Sequence, residues 1–195
     1  TRIETIPVRI PLKAGLTTKT AHGVHARSDY VVVRVHTDEG LVGLGEATVA
    51  PRWSGETSAT CLHVIHDFLE PALLGRDPLE IGRLRLRMDR VIKLHPFTKA
   101  AVEMALWDIT GKAANLPVCR LLGGPVRDTM PIKLVIGAFD NAATIQLVER
   151  FLGMGAKCLK VKTGIEPDED LQRVRTVRAV AGDEIPITIA SNGGW

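Results

Sequence analysis

The stretch CLKVKTGIEPDEDLQRVRTVRAVAGDEIPITIAS, residues 158–191, contains the repeating unit that decides the fold. Its two ends, residues 158–162 and 185–191, are short apolar runs with β-branched residues, which predicts two strands. Between them Pro167–Val180 is predicted as a helix. A proline opens this segment and three acidic residues follow in its first turn, where the helix dipole favours negative charge. A strand, a helix and a strand joined by short links predict a parallel βαβ unit.

The same alternation begins one unit earlier. Pro131–Phe139 (PIKLVIGAF) is predicted as a strand, and Ala142–Met154 as a helix that ends at Gly155. Together with the two later strands, this segment gives three strands that alternate with two helices. We therefore expect a parallel three-stranded sheet in residues 126–195.

The N-terminal part has a different pattern. The predicted strands are Ile3–Leu12, Asp29–Thr37 and Leu41–Ala47, and the predicted helices are Glu56–Leu74, a helix capped by Asp77 with Pro78 at its first position, and Thr98–Asn115. Lys13–Ser28 is expected to be a long polar loop, and loops of this length are often functional. Residues 1–125 are thus predicted to form an α+β domain, and the pattern changes near Gly124–Met130.

The composition excludes several classes of protein. The chain has 195 residues, of which 45% are hydrophobic and 24% charged, and its net charge is only +3. This balance fits an ordinary globular protein and indicates no nucleic-acid surface. No apolar run approaches the roughly 18 residues of a membrane span. The three cysteines are widely spaced without a Cys-x-x-Cys pair, which argues against a disulfide framework or a zinc site and favours a cytoplasmic location.

Three motifs converge on a known family, and one of them is Lys160-Val161-Lys162, at the end of the second strand of the βαβ repeat. AVEMALWDITGKAANLPVCRLLGG (Ala101–Gly124) resembles the helix and exit turn that end the capping domain in the mandelate racemase/muconate-lactonizing group of the enolase superfamily. IASNGGW (Ile189–Trp195) resembles the ending of the third barrel strand in that group. The resemblance implies an α+β capping domain (residues 1–125) followed by a truncated (β/α) TIM-type barrel (residues 126–195).

Lys160 and Lys162 are the candidate catalytic residues. Residues i and i+2 of a strand point to the same side, and barrel enzymes place catalysis at the C-terminal ends of their strands. Taken alone, the pair could equally be two solvated lysines on an edge strand. The resemblance implies that Lys160 lies against the substrate carboxylate and that Lys162 takes the proton α to it. A lysine can do so near neutral pH only if burial or a neighbouring cation lowers its pKa.

The last motif bears on metal and substrate binding. In the resembling family an Asp at the position of Ala190 is the first Mg²⁺ ligand, and an Asn at the position of Asn192 contacts substrate. Alanine offers no oxygen donor, so we assign no metal ligand in this chain and expect Mg²⁺ only in the full-length parent. In the family the segment Pro51–Glu56 closes over the substrate together with the Lys13–Ser28 loop, which makes Trp53 a candidate pocket residue.

These observations predict a fragment of a Mg²⁺-dependent isomerase or lyase, of a muconate cycloisomerase-like or racemase/epimerase-like type. The 195-residue chain by itself is expected to be inactive. The full-length parent is expected to be a homo-oligomer that acts on a small carboxylic acid. The alternative is a non-catalytic, metal-deficient relative that kept the fold as a scaffold, which Ala190 favours and Lys160 and Lys162 disfavour. A nucleotide-binding domain is disfavoured because no Gly-rich phosphate turn follows a strand.

Overall fold

The computed structural model describes residues 2–13 and 17–194. Its strands are β1 (Arg2–Pro11), β2 (Thr18–Thr20), β3 (Gly23–His25), β4 (Arg27–His36), β5 (Val42–Val49), β6 (Leu134–Ile136), β7 (Leu159–Lys162) and β8 (Ile187–Ala190). Its helices are α1 (Pro51–Ser54), α2 (Ser58–His63), α3 (Glu70–Leu73), α4 (Ile81–Val91), α5 (Pro96–Ala114), α6 (Val118–Leu121), α7 (Asn141–Gly153) and α8 (Pro167–Ala181), and a π-helical segment (Val64–Leu69) joins α2 to α3. None of the helices in these ranges combines the length and hydropathy needed to cross a bilayer.

The chain forms two compact units. The first comprises the residues up to Ile10 together with Ser28–Val126, and the second comprises described residues of Pro11–Arg27 and those from Arg127 onward. In the first unit, a sheet of order β1-β4-β5 packs against helices around Val31, Val33, Leu69 and Met88. The strands β4 and β5 run antiparallel, with Val33 opposite Gly45.

Helix α5 lies unusually close to strand β5. A Cβ at Gly45 would stand 1.8 Å from the carbonyl oxygen of Ala101, and one at Gly43 would stand 2.0 Å from that of Ala105. Only glycine allows the backbone of the strand to approach the helix this closely. The buried face of α5, which includes Val102 and Leu106, is thereby held against the sheet.

Several helix starts differ from the sequence predictions, and α5, for example, begins at Pro96 rather than at Thr98. The helix predicted over Glu56–Leu74 begins at Ser58, as α2, because Thr57 and Thr60 form a reciprocal capping box at its start. Asp77 does not cap a helix. Its Oδ1 accepts from the backbone N–H of Leu79 at 2.9 Å in a local turn, and α4 begins only at Ile81. The Asp77-Pro78 pair thus marks a turn rather than a helix start.

The second unit contains the predicted βαβαβ alternation, and the parallel pairing is confirmed. The sheet has the order β6-β7-β8, and both strand pairs run parallel. Leu159 and Val161 of β7 belong to a buried cluster with residues of α7 and α8, namely Val148, Phe151 and Val177. Because side chains alternate along a strand, Lys160 and Lys162 lie on the opposite face of the sheet.

The segment predicted as a polar loop, Lys13–Ser28, contains the antiparallel hairpin β2–β3. It was assigned to domain 1–125 from the sequence, whereas its contacts group it with the second unit. The reason is a backbone hydrogen bond in which the N–H of Ala138, two residues after β6, donates to the carbonyl oxygen of Lys19 at 2.8 Å. A Cβ at Gly137 would stand 3.0 Å from the backbone nitrogen of Lys19, so glycine allows this approach.

Candidate active site at the ends of three parallel strands

Lys162 is the central residue of the site. It is the last residue of β7, and its side chain is 9% exposed. Its Nζ donates a hydrogen bond of 2.6 Å to Oδ1 of Asn192, which follows the neighbouring strand β8. The structure therefore brings together two of the residues singled out in the sequence, at the C-terminal edge of the sheet.

The environment of Lys162 favours its neutral form. Burial lowers the pKa of its amine, and the charge of Lys160 lowers it further. Lys160 is partly buried and precedes Lys162 by two residues on the same face of β7. At neutral pH the lowered pKa gives Lys162 a larger fraction of free amine than an exposed lysine has, and the free amine is the form that accepts a proton.

The loop after β8 holds Asn192 beside this amine. Asn192 has a positive φ of 53°, and Gly193 follows with a φ of 74°. A Cβ at Gly194 would stand 1.9 Å from the carbonyl oxygen of Gly164, and one at Gly164 would stand 2.2 Å from that of Ser191. The turns after β7 and β8 thus interlock through two glycines without side chains, which fixes Asn192 relative to Lys162.

Ala190 lies directly beside Lys162. The two residues are register partners in the parallel ladder, so their side chains share one face of the sheet. A methyl group cannot bind a cation, and the Oδ1 of Asn192 is engaged by the Lys162 ammonium. Within residues 2–13 and 17–194, no group of three or more His, Cys, Asp or Glu side chains is arranged to hold a metal ion. The described residues therefore do not form a Mg²⁺ site by themselves.

Trp53 belongs to the first unit, whereas the lysines and Asn192 belong to the second. It lies in the short helix α1 and is 62% exposed. Three residues later, Glu56 is buried at 2% exposure and accepts hydrogen bonds from the backbone N–H groups of Phe97 and Thr98. The sequence prediction treated Glu56 as the first residue of a helix and missed its role as the cap of helix α5.

Asp170 and Arg173 are a second pair that the sequence prediction missed. Asp170 was interpreted only as a first-turn acid, yet it forms a buried ion pair with Arg173. A signal for this burial was present. The two residues share the helical face of Val177 at i, i+3 and i+7, so two charged side chains stand in the apolar stripe of α8.

Comparison with known proteins places the chain in a family. Residues 2–123 match the mandelate racemase / muconate lactonizing enzyme family, N-terminal domain. The whole chain is 31% identical over 195 residues to an N-succinyl-L-Arg/Lys racemase from Bacillus cereus, of which it covers 52%. It is 34% identical over 199 residues to a chloromuconate cycloisomerase from Cupriavidus necator, again covering 100% of this chain and 52% of the relative.

A solved structure gives the same result. The dipeptide epimerase from Cytophaga hutchinsonii, complexed with Mg and the dipeptide D-Ala-L-Val, superposes with a TM-score of 0.94 at 29% identity, covering 100% of this chain and 52% of that one. The chain thus spans about half the length of the relatives that it matches. It belongs to the mandelate racemase/muconate lactonizing enzyme family of the enolase superfamily, and its residues 2–123 correspond to the N-terminal domain of that family.

Proposed function

We propose that the complete protein containing this chain is an isomerase or lyase that removes the proton α to the carboxylate of a small acid, with Lys162 as the general base. The observation that carries the proposal is the position of Lys162 at the end of β7, where the residue is 9% exposed and its Nζ donates to Oδ1 of Asn192. Burial and the charge of Lys160 lower the pKa of its amine. A base of this kind must be largely shielded from water, partly neutral near pH 7 and fixed in direction. The hydrogen bond to Asn192 supplies that direction.

Lys160 and Asn192 have complementary roles in this proposal. Proton removal places negative charge on the substrate carboxylate, and a fixed cation stabilises that charge. Lys160 lies on the same face of β7 and supplies such a cation. Asn192 directs its oxygen to Lys162, so its amide nitrogen keeps two donors for the substrate. Trp53 is proposed to line the pocket, as an exposed aromatic side chain on the short helix α1.

Dependence on Mg²⁺ belongs to the proposal for the complete protein only. Bound Mg²⁺ would supply further positive charge for the carboxylate. The side chain of Ala190 has no oxygen or nitrogen to offer, and no group of three or more His, Cys, Asp or Glu side chains in residues 2–13 and 17–194 is arranged to hold a metal ion. We therefore propose that the Mg²⁺ ligands belong to parts of the complete protein other than these residues.

The proposed substrate class is a small carboxylic acid. The relatives are named for N-succinyl-L-Arg/Lys, chloromuconate and dipeptides, and each of these compounds carries a carboxylate. Racemisation, epimerisation and cycloisomerisation all begin or end with a proton at a carbon next to that group. We propose this shared step, together with a (β/α) barrel, a homo-oligomeric state and a cytoplasmic location for the complete protein.

Ala190 favours a second candidate function. The second candidate is a non-catalytic scaffold, which keeps the fold of the family but lacks an expected metal ligand. The methyl group of Ala190 beside Lys162 is consistent with the loss of such a ligand. The placement of Lys162 argues against this candidate, because a scaffold under no catalytic demand gains nothing from a largely buried lysine beside a second lysine. The two candidates differ in whether Lys162 is needed for turnover.

The test uses the complete natural protein in D₂O with N-succinyl-L-arginine, L-Ala-L-Val and cis,cis-muconate as probes. Deuterium incorporation at the carbon next to the carboxylate is followed by ¹H NMR, with Lys162→Ala compared to the exposed control Lys157→Ala. We expect Lys162→Ala to slow incorporation by roughly 10²–10⁴-fold and Lys157→Ala to leave it unchanged. Equal rates in Lys162→Ala and the wild type would refute the assignment, and no incorporation by the wild type with any probe favours the scaffold.

A further inference from the structure

A buried ion pair lies directly behind Lys162. Asp170 and Arg173 occupy the first two turns of α8, and their side chains are 3% and 5% exposed. Nη1 of Arg173 and Oδ1 of Asp170 are 2.5 Å apart. Charged side chains are seldom this deeply buried unless they are paired and hydrogen-bonded, so the partners of the pair show what it does.

Other side-chain hydrogen bonds of the pair go to the backbone around Lys162 and to the end of the neighbouring strand. Oδ2 of Asp170 accepts from the N–H of Gly164 at 2.6 Å and from that of Ile165 at 3.0 Å. Nη1 of Arg173 donates to the carbonyl oxygen of Lys162 itself at 3.0 Å. The pair thus binds the backbone at Lys162 and on its C-terminal side.

Arg173 also connects this backbone to strand β6. Its Nε donates to the carbonyl oxygen of Phe139, three residues after β6, at 3.3 Å. Asp170 holds the turn at Gly164 and Ile165. This turn contacts the loop after β8, where Gly194 lies against the carbonyl oxygen of Gly164. One ion pair therefore fixes the ends of all three strands at the edge where Lys162 and Asn192 meet.

We propose that Asp170 and Arg173 are positioning residues, which hold the backbone of Lys162 so that its amine is directed at Asn192 and the substrate. This inference rests on the proposed role of Lys162 as the base. A buried ion pair is a poor source of stability compared with apolar residues of similar volume. Its value here is geometric, because a shift of about 1 Å at a catalytic group can reduce the rate roughly 10²-fold.

The same helix contains a matched control. Arg178 also donates to backbone carbonyl oxygens, those of Gly182 at 2.7 Å and Ile185 at 2.9 Å. These carbonyls lie at the C-terminal end of α8 and before β8, at the opposite end of the strand from Lys162. Arg178 thus donates to backbone carbonyl oxygens as Arg173 does, but the backbone that it binds is far from Lys162 in the sheet.

The experiment compares Arg173→Met, Arg178→Met and the double variant Asp170→Leu/Arg173→Met in the complete natural protein. Stability is measured by urea unfolding, and kcat and KM are measured with whichever probe the wild type deuterates. Arg173→Met is expected to lose both stability and kcat. The double variant is expected to regain part of the stability that Arg173→Met loses, because no unpaired charge remains buried, while the N–H groups of Gly164 and Ile165 still lack their acceptor. Its kcat is expected to stay reduced by about 10-fold or more. Arg178→Met is expected to lose stability with kcat within about twofold of wild type.

A readout without substrate accompanies the kinetics. The acetylation rate of Lys162 by acetic anhydride, followed by peptide mass spectrometry, reports the environment of its amine in each folded variant. We expect this rate to differ from that of the wild type in the double variant, because the environment that sets the free-amine fraction of Lys162 changes, and to stay unchanged in Arg178→Met. A double variant with wild-type kcat and wild-type acetylation would overturn the positioning role. That outcome differs from failure of the proposed function, in which Lys162→Ala keeps full deuterium incorporation.

Discussion

Glu56 provides a test of how the first unit is held together. The N-cap residue of α5, His95, makes no side-chain capping hydrogen bond. The cap comes instead from the carboxylate of Glu56, which accepts from the N–H of Phe97 at 3.0 Å and from the N–H and hydroxyl of Thr98 at 2.9 and 2.5 Å. A distant, buried carboxylate thus satisfies two backbone donors in the first turn of the longest helix.

Glu56→Gln isolates the contribution of this charge. Glutamine keeps one acceptor oxygen and replaces the other by an N–H₂ group, so at least one donor at the helix start is left buried and unpaired, at about 1–3 kcal/mol. Loss of the negative charge at the helix N-terminus adds about 0.3–2 kcal/mol. We therefore expect the free energy of unfolding to fall by roughly 1–5 kcal/mol.

Urea unfolding followed by far-UV circular dichroism measures this change. The matched control is Glu46→Gln, because Glu46 is an exposed residue of β5 in the same unit. Its substitution is expected to change the free energy of unfolding by no more than about 0.5 kcal/mol. If Glu56→Gln costs no more than Glu46→Gln, the carboxylate is not the cap that fixes α5.

Three further predictions concern packing, the metal and the pH dependence of stability. Gly45→Ala should destabilise the protein by about 1–3 kcal/mol or more, because its Cβ would stand 1.8 Å from a backbone oxygen of α5. Gly82→Ala should stabilise the protein by about 0.5–1 kcal/mol, because a Cβ there meets nothing within 4 Å. Thermal unfolding of both variants measures these two changes. Calorimetry should detect no tight Mg²⁺ binding to the 195-residue chain, with or without Ala190→Asp, since one carboxylate beside two lysines cannot replace a ligand set; tight, stoichiometric binding would contradict the assignment of Ala190. Finally, the unfolded chain binds more protons than the folded one between the lowered pKa of Lys162 and the ordinary lysine value, so stability should rise with pH across that window, and Lys162→Met should remove the rise in urea titrations.

Much of the fold could be predicted because it is written in local periodicity. The alternation of apolar runs and amphipathic helices after residue 130 identified three strands and two helices within a few residues of their bounds. The parallel direction of pairing followed from the helix between each pair of consecutive strands, because a helix that crosses over the sheet returns the chain to start the next strand in the same direction. The family resemblance rested on Ala101–Gly124, on the Lys160–Lys162 pair and on Ile189–Trp195, and Ala101 and Ala105 of the first segment are the residues that lie against Gly45 and Gly43 of β5.

What the sequence did not show are interactions between distant residues. The hairpin β2–β3 is joined to the second unit by a hydrogen bond from Ala138, which lies more than a hundred residues away from it in the sequence. No local pattern in the sequence indicates that partner. Glu56 likewise caps a helix that begins 40 residues later. Asp170 had a local explanation as a dipole-compensating acid, which concealed its buried role beside Arg173. The π-helical segment at Val64–Leu69 is also invisible to a 3.6-residue period.

The candidate site was found for a different reason. Lys160 and Lys162 were recognised by strand periodicity and family resemblance, and the structure adds the contact between Lys162 and Asn192 that neither of these gives. The register of β7 and β8 explains this contact, because Lys162 is the partner of Ala190 and Asn192 lies two residues farther on. The catalytic role of these residues remains a prediction that rests on the state of the amine.

Titration of the Lys162 amine tests that state most directly. The side-chain ¹⁵Nζ and ¹³Cε signals of labelled protein are followed by NMR between pH 5 and 12, with Lys162→Arg used to assign them. We expect a midpoint below the ordinary lysine value of about 10.4, because burial and Lys160 lower the pKa of Lys162, and a shift of this midpoint toward that value in Lys160→Met. A Lys162 that titrates at the ordinary value would be fully protonated near neutral pH, and it could not be the base.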